Sequence, residues 1–305
     1  MRYLGQPLDL LFGYPFITPS VDEYGMFHAH SVSLRSSDLS RQVGAVITSN
    51  EGEFIAAGCN EVPKAGGGSV WDSSKEAESK DYRDFKLGQD PSAKMKHDIL
   101  AEVFKELGEA GWLSEEYKNK SMEKLVNESL YEGNSPPLKN TRAANIIEFG
   151  RIVHAEMSAL TEASRKSVSV KDSTLYCTTY PCHMCARHII SAGIKTVTFI
   201  EPYPKSLAKD LYKKMIKVDG GEADDNAVDF KPFVGIAPRK YFDLFEMVKR
   251  KDEKGFAISW NAADASPRLN QEKPAYFDYE RMLIDFLRKN AVDYGLIGES
   301  DSDSK

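Results

Sequence analysis

Four side chains in two short words carry the chemistry: His154 and Glu156 in "HAE", and Cys182 and Cys185 in "PCHMC". Each word reads as the start of a helix. Pro181 suits a first helical position, where a missing amide hydrogen costs no intrahelical bond. Three apart on a helix, Cys182 and Cys185 share one face. His154 and Glu156 are two apart and would diverge in mid-helix, but at a helix N-terminus both can point past its end into a common site. Zinc takes thiolate sulfur and imidazole nitrogen, and a catalytic zinc keeps three protein ligands and one open position. His154, Cys182 and Cys185 supply three ligands. Glu156 is then an unligated carboxylate beside the open position, able to accept and return a proton. Two helix N-termini aimed at the site should lower both thiol pKa values.

A lone C-x-x-C also suits a redox pair or half of a structural zinc site. The chain has four cysteines and only one such pair, which argues against a four-cysteine ribbon, and a redox pair has no use for H-x-E on another helix. Cys59 and Cys177 lie in apolar, strand-like segments and read as core packing. His28, His30, His97 and His188 read as surface or packing residues. So does His183, which helical geometry turns away from the metal.

The elements that must position these groups alternate along the chain. A helix over 24–34 precedes a buried strand, "VGAVITSN", which turns at Asn50–Gly52 into a second, antiparallel strand, "EFIAAGCN". Residues 62–141 break the pattern and read as an insertion, opening with the loop "PKAGGG". Ile99, Leu100, Val103, Phe104 and Leu107 recur at helical spacing there, as do Leu125, Val126 and Leu130 in a second helix with Ser114 upstream as a cap. The core resumes with the helix of "HAEMSALTEAS", the strand "STLYCTTY" and the helix "CARHIISAG", closed by Gly193. The strand "KTVTFI", the helix "SLAKDLYKKMI", the strand "AVDFKPFVGI" and the helix "RKYFDLFEMV" follow. This alternation predicts an α/β fold of three layers, α/β/α, around a five-stranded mixed sheet. The whole of 1–305 reads as one domain, with an N-terminal extension over 1–20 and a C-terminal extension over 251–298 that carries an amphipathic helix around "YERMLIDFLRKN". An acidic tail over 299–305 is expected to be disordered.

At 305 residues with 41% hydrophobic and 28% charged residues, the composition is that of a globular chain. The net charge of −6 disfavours a nucleic-acid partner but leaves room for a small basic pocket. Asp9 interrupts the only apolar run near the N-terminus, so no signal peptide is read there. No segment has the length of a membrane helix, and the expected compartment is the cytoplasm.

H-x-E followed by P-C-x-x-C is the signature of zinc nucleobase deaminases. The stretches "VGAVITSNEGEFIAAGCNEVP", "GRIVHAEMSAL" and "TLYCTTYPCHMCARHIISAGIKTVTFIEPYPKSLAKDLY" resemble the deoxycytidylate deaminase family. RNA adenosine and guanine deaminases read "DPTAHAE" where this chain has "GRIVHAE". Tetrameric cytidine deaminases use "CAE", and riboflavin-pathway deaminases space their cysteines differently. "VPKAGGGSVWD" and "FKPFVGIAPRKYFDLFE" are similar to bacterial antiviral deoxycytidine nucleotide deaminases, which act on dCTP, dCMP or both and drain the dCTP pool during phage infection. Longer members carry a P-loop kinase-like domain first. No G-x-x-x-x-G-K-[ST] occurs here, so a truncated or a short natural form is expected.

The resemblance implies a zinc-dependent hydrolysis of a deoxycytidine nucleotide to the deoxyuridine nucleotide and ammonia, by a homo-oligomer. It places Asn60 on the sugar hydroxyl, Tyr203 by the sugar or base, and Lys205 and Arg41 as phosphate candidates. A turn-forming role for Asn60 and a surface ion pair for Arg41 stand as the alternatives. A polynucleotide base deaminase and a non-catalytic nucleotide sensor are the competing functions. The acidic balance argues against the first, and the presence of Glu156 against the second.

Overall fold

In the computed structural model, which describes residues 2–72, 81–147, 149–218, 220–268 and 276–293, Ser20 starts the first core helix, α1 (Val21–Ser33). The Ser20 hydroxyl accepts from the Glu23 amide while the Glu23 carboxylate accepts from the Ser20 amide, a reciprocal cap. The run after Gln42 forms β1 (Gly44–Thr48), which is buried at every position and pairs antiparallel with β2 (Phe54–Cys59). The insertion contributes two longer helices, α2 (Pro91–Glu109) and α3 (Met122–Leu130). The core then continues through α4 (Ala155–Arg165), β3 (Thr174–Thr179), α5 (His183–Ser191), β4 (Thr196–Glu201), β5 (Ile216–Val218) and β6 (Val228–Pro232).

The sheet has six strands in the order β2-β1-β3-β4-β6-β5, one more than the five expected. β1 is antiparallel to both β2 and β3, and the remaining pairs are parallel, so the sheet is mixed. The extra strand is β5, which pairs with β6 at Ile216–Val228, Lys217–Asp229 and Val218–Phe230. It takes up the end of the segment expected to be a helix over 206–216, of which only Ala208–Leu211 is helical. Pairing with β6 and burial of Ile216, 3% exposed, override a helix-like pattern of lysines and leucines. The expected helix over 239–248 likewise shortens to Tyr241–Phe245 after a 3-10 turn at Pro238–Lys240.

Strand alternation builds the three layers. Ala45, Ile47, Leu175 and Cys177 face α4 and α5 and share a core with Ala155, Ala159, Cys185 and Ile189. Val46 and Tyr176 face the other way, against Met26 and Ala29 of α1. Gly58 lets α4 sit directly on β2: a Cβ there would lie 2.4 Å from the Ala159 amide nitrogen and 2.5 Å from the Ala155 carbonyl oxygen. The insertion has its own small core of Leu100, Val126 and Leu130. Its second helix is capped by Ser121, whose hydroxyl accepts from the Lys124 amide at 3.2 Å. Ser114, the expected cap, instead precedes a four-residue helix and makes no side-chain cap bond. Too few residues separate the two serines for spacing alone to choose between them.

The chain divides into two compact units, Thr18–Phe242 and Met1–Ile17 with Asp243–Lys305. The first holds the sheet and the site. The second contains the helices Arg2–Leu11 and Tyr276–Asp293 and an edge-on contact of Tyr14 with Trp260, with ring centroids 5.3 Å apart. The expected disordered tail over 299–305 lies outside the described residues. Among the described residues, no helix is long and apolar enough to cross a membrane.

Candidate metal centre and catalytic cavity

Both motifs stand at helix starts. His154 is the N-cap residue of α4 and Cys182 that of α5, each with extended backbone and no side-chain cap bond, so both side chains are free to turn inward. Pro181 lies one residue ahead of the cap and not at the first helical position expected of it. There its ring fixes the approach of the chain to Cys182. The segment before His154 is anchored by a bridge in which the Glu61 amide donates to Val153 and the Val153 amide to Glu61, at 3.2 and 3.0 Å.

The ligand atoms of His154, Cys182 and Cys185 all lie within 4.8 Å of one another. His154 Nδ1 is 3.3 Å from Cys182 Sγ and 3.4 Å from Cys185 Sγ. A tetrahedral zinc with ordinary Zn–N and Zn–S bonds separates nitrogen from sulfur by about 3.6 Å. The three donors therefore fit zinc in type, number and spacing.

Between themselves the three groups share protons. A hydrogen bond from Cys185 holds the Cys182 thiol down at about 4, with His154 acting in the same sense. The same bond, with burial, pushes the Cys185 thiol well above its ordinary value. Both thiols were expected to be lowered, but the proton that Cys182 gives up is retained by its partner. The hydrogen bond to Cys182 raises His154 to about 9.

Glu156, in the first turn of α4, is 4% exposed. Burial is the main cause that raises its carboxyl above the usual range, and the negative charge of Cys182 adds to it. Cys59 and Cys177 are buried and free, as core packing requires. His28 packs among Tyr24, Phe27 and Phe54.

A cavity of about 330 Å³ opens over these groups, and its wall includes His154, Glu156 and Cys182. Asn60, Arg41 and Tyr203 lie on the same wall, with the Arg41 guanidinium 5.4 Å from the Tyr203 ring centroid. Asn60 is 5% exposed and its amide is tied to the backbone: Oδ1 accepts from the Val43 amide at 2.7 Å, and Nδ2 donates to the Arg41 carbonyl at 2.9 Å. It thereby fixes the loop that carries Arg41. Lys205 does not join the cavity wall; it is exposed and donates to Asn145 Oδ1 at 2.6 Å.

Sequence reasoning missed the far wall. Asp90, Ser92 and Lys96, at and just after the start of α2, line the cavity, as do Asp84 and Arg151, which pair at 3.0 Å. The one signal in the chain was Arg151, three residues ahead of His154. The insertion carries no motif, and only folding brings it over the site.

A family described as "Cytidine and deoxycytidylate deaminase zinc-binding region" matches residues 19–201. "Deoxycytidylate deaminase" of Mus musculus is 41% identical over 108 residues, which is 35% of this chain and 56% of that protein. "ComE operon protein 2" of Bacillus subtilis (strain 168) is 39% identical over 83 residues, 27% of this chain and 44% of that protein. The chain thus spans about half the length of these curated relatives. A solved structure, dCMP deaminase from the cyanophage S-TIM5 in complex with dCMP and dUMP, aligns with 72% of this chain and 100% of that chain at 18% identity and a TM-score of 0.38.

Proposed function

This chain belongs to the cytidine and deoxycytidylate deaminase family, and from that premise we propose that it hydrolyses the exocyclic amine of a deoxycytidine nucleotide, dCMP or dCTP, releasing ammonia. The observation that carries the reading is the meeting of His154, Cys182 and Cys185 within 4.8 Å at two helix starts, with Glu156 on the same cavity wall. His154, Cys182 and Cys185 would hold a zinc ion, which would supply a nucleophile by lowering the pKa of water towards neutrality.

Glu156 does the proton work. Its carboxylate takes a proton from the attacking water and delivers it to the ring nitrogen beside the carbon under attack; it then passes the remaining proton of the added hydroxyl to the amine, which departs as ammonia and leaves a carbonyl. Burial that raises its pKa suits this cycle, because the group must both accept and donate near neutral pH. Around it, the Asn60 side chain, already fixed by Val43 and Arg41, offers its remaining N–H to the sugar. Tyr203 packs by the sugar or base and Arg41 meets phosphate. Lys205, which keeps two further donors beside its bond to Asn145, is the other phosphate candidate.

The likeness of "VPKAGGGSVWD" and "FKPFVGIAPRKYFDLFE" to antiviral deaminases supports a cytoplasmic, homo-oligomeric enzyme that depletes dCTP in anti-phage defence. The test is a side-by-side assay of the zinc-loaded protein on dCMP, dCTP, CTP and short single-stranded DNA. Deoxyuridine nucleotide should form from dCMP or dCTP. Turnover confined to single-stranded DNA, or none on any cytosine substrate, rejects the reading.

A further inference from the structure

The deaminase motifs account for one side of the cavity, and the insertion builds the other. Asp90, Ser92 and Lys96 at the start of α2 face the same space as His154 and Glu156. Apart from Glu156, the carboxylates that line the cavity are already engaged. Asp38 Oδ1 accepts from the Ser40 and Arg41 amides at 2.6 and 3.2 Å. Asp84 accepts from Arg151 at 3.0 Å, and Asp90 accepts from the Ser92 amide at 2.8 Å as the cap of α2. Arg151 is committed as well, to Asp84 and to the Tyr82 carbonyl at 2.7 Å.

Lys96 differs. It is half-buried, lines the cavity, and makes no hydrogen bond or ion pair among the described residues. Arg41, which lines the same cavity, makes no side-chain hydrogen bond or ion pair among the described residues, and its guanidinium lies 5.4 Å from the Tyr203 ring centroid. An ammonium held against a cavity without a carboxylate of its own is matched to an anion from outside, and a phosphate accepts charge-assisted hydrogen bonds from lysine and arginine alike.

We propose that Lys96 of the insertion reads the phosphate of the nucleotide together with Arg41, so that the insertion sets the preference of this site for a nucleotide over a nucleoside. This rests on the nucleotide-deaminase reading above. It assigns the insertion a specificity role that the core motifs do not contain.

Titration calorimetry on the full, zinc-loaded chain with dUMP and deoxyuridine tests it without turnover. The readout is the ratio of Kd for deoxyuridine to Kd for dUMP. Loss of one charge-assisted phosphate contact lowers that ratio roughly ten- to hundredfold in Lys96→Met. Lys96→Arg, which keeps the charge, recovers most of the loss. An unchanged ratio overturns the proposal. Equal weakening of both ligands also overturns it, because that marks a structural role. A wild-type chain that fails to deaminate any cytosine nucleotide is seen in the turnover assay instead, and sinks the parent reading independently of this ratio.

Discussion

Replacing Gly58 by Ala should damage catalysis from the edge strand of the sheet. The added Cβ would lie 2.4 Å from the Ala159 nitrogen, 2.5 Å from the Ala155 oxygen and 2.6 Å from Ser158 Cβ. Real Cβ atoms essentially never approach below 3.0 Å and ordinary contact begins at 3.4 Å, so α4 and β2 must part by roughly 0.6–1 Å. Two of the three atoms met are helix backbone, so no rotamer change relieves the clash. Overpacking of this kind costs about 1–3 kcal/mol. For a unit of this size that lowers Tm by roughly 2–12 °C.

The same shift moves His154 and Glu156, which stand on the first turn of α4. A displacement of about 1 Å in a catalytic group costs on the order of a hundredfold in rate. Scanning calorimetry, zinc content and kcat on dCMP measure the three effects. Gly108→Ala is the matched control, because its Cβ would meet only Leu113 Cδ1 at 3.6 Å inside α2. That change should stabilise by up to about 1 kcal/mol. A Gly58→Ala protein with wild-type Tm and kcat would refute the close seating of α4 on β2.

Zinc uptake should release protons. At neutral pH His154, at about 9, and Cys185, raised well above its ordinary value, each hold a proton, while Cys182, at about 4, does not; two protons leave per ion bound. Affinity of chelator-stripped protein therefore rises with pH up to about 9 and more gently beyond, and calorimetry in buffers of different ionisation enthalpy counts the protons. A pH-independent affinity contradicts this. Arg151→Met strands the Asp84 carboxylate, whose side chain is 6% exposed, and should cost about 1–3 kcal/mol, a range reduced because the Arg151 side chain is 35% exposed. Burial already raises the Asp84 pKa, so its ionisation opposes folding, and that penalty grows as pH climbs from the unfolded carboxylate pKa through the folded one. The Tm gap between variant and wild type should therefore be smaller at about pH 5 than at about pH 7.5; a larger gap in acid would show that Arg151 acts otherwise.

What was legible in the sequence follows from how local each signal is. Alternation and turn residues pointed to the β1–β2 hairpin, and the words "HAE" and "PCHMC", the second with its proline, pointed to the starts of α4 and α5. These fix the layers and bring the zinc donors together, so the three-layer cytidine-deaminase-like fold and the metal followed. β5 was invisible because three residues carry no period, and its pairing with β6 is a tertiary event. The split of protons between Cys182 and Cys185 depends on one sulfur facing the other, which residue spacing does not encode. The α2 wall was hidden for the same reason: Lys96 and His154 come to line one cavity only when the chain folds.

Glu156→Gln gives the most direct test of the central claim, because it keeps the shape of the side chain and leaves all three zinc donors in the sequence. Metal analysis and kcat on dCMP should be measured on the same sample. The account predicts a full complement of zinc with kcat lowered on the order of 10²- to 10⁴-fold, the contribution of a positioned acid–base group. Full turnover with zinc in place would contradict it.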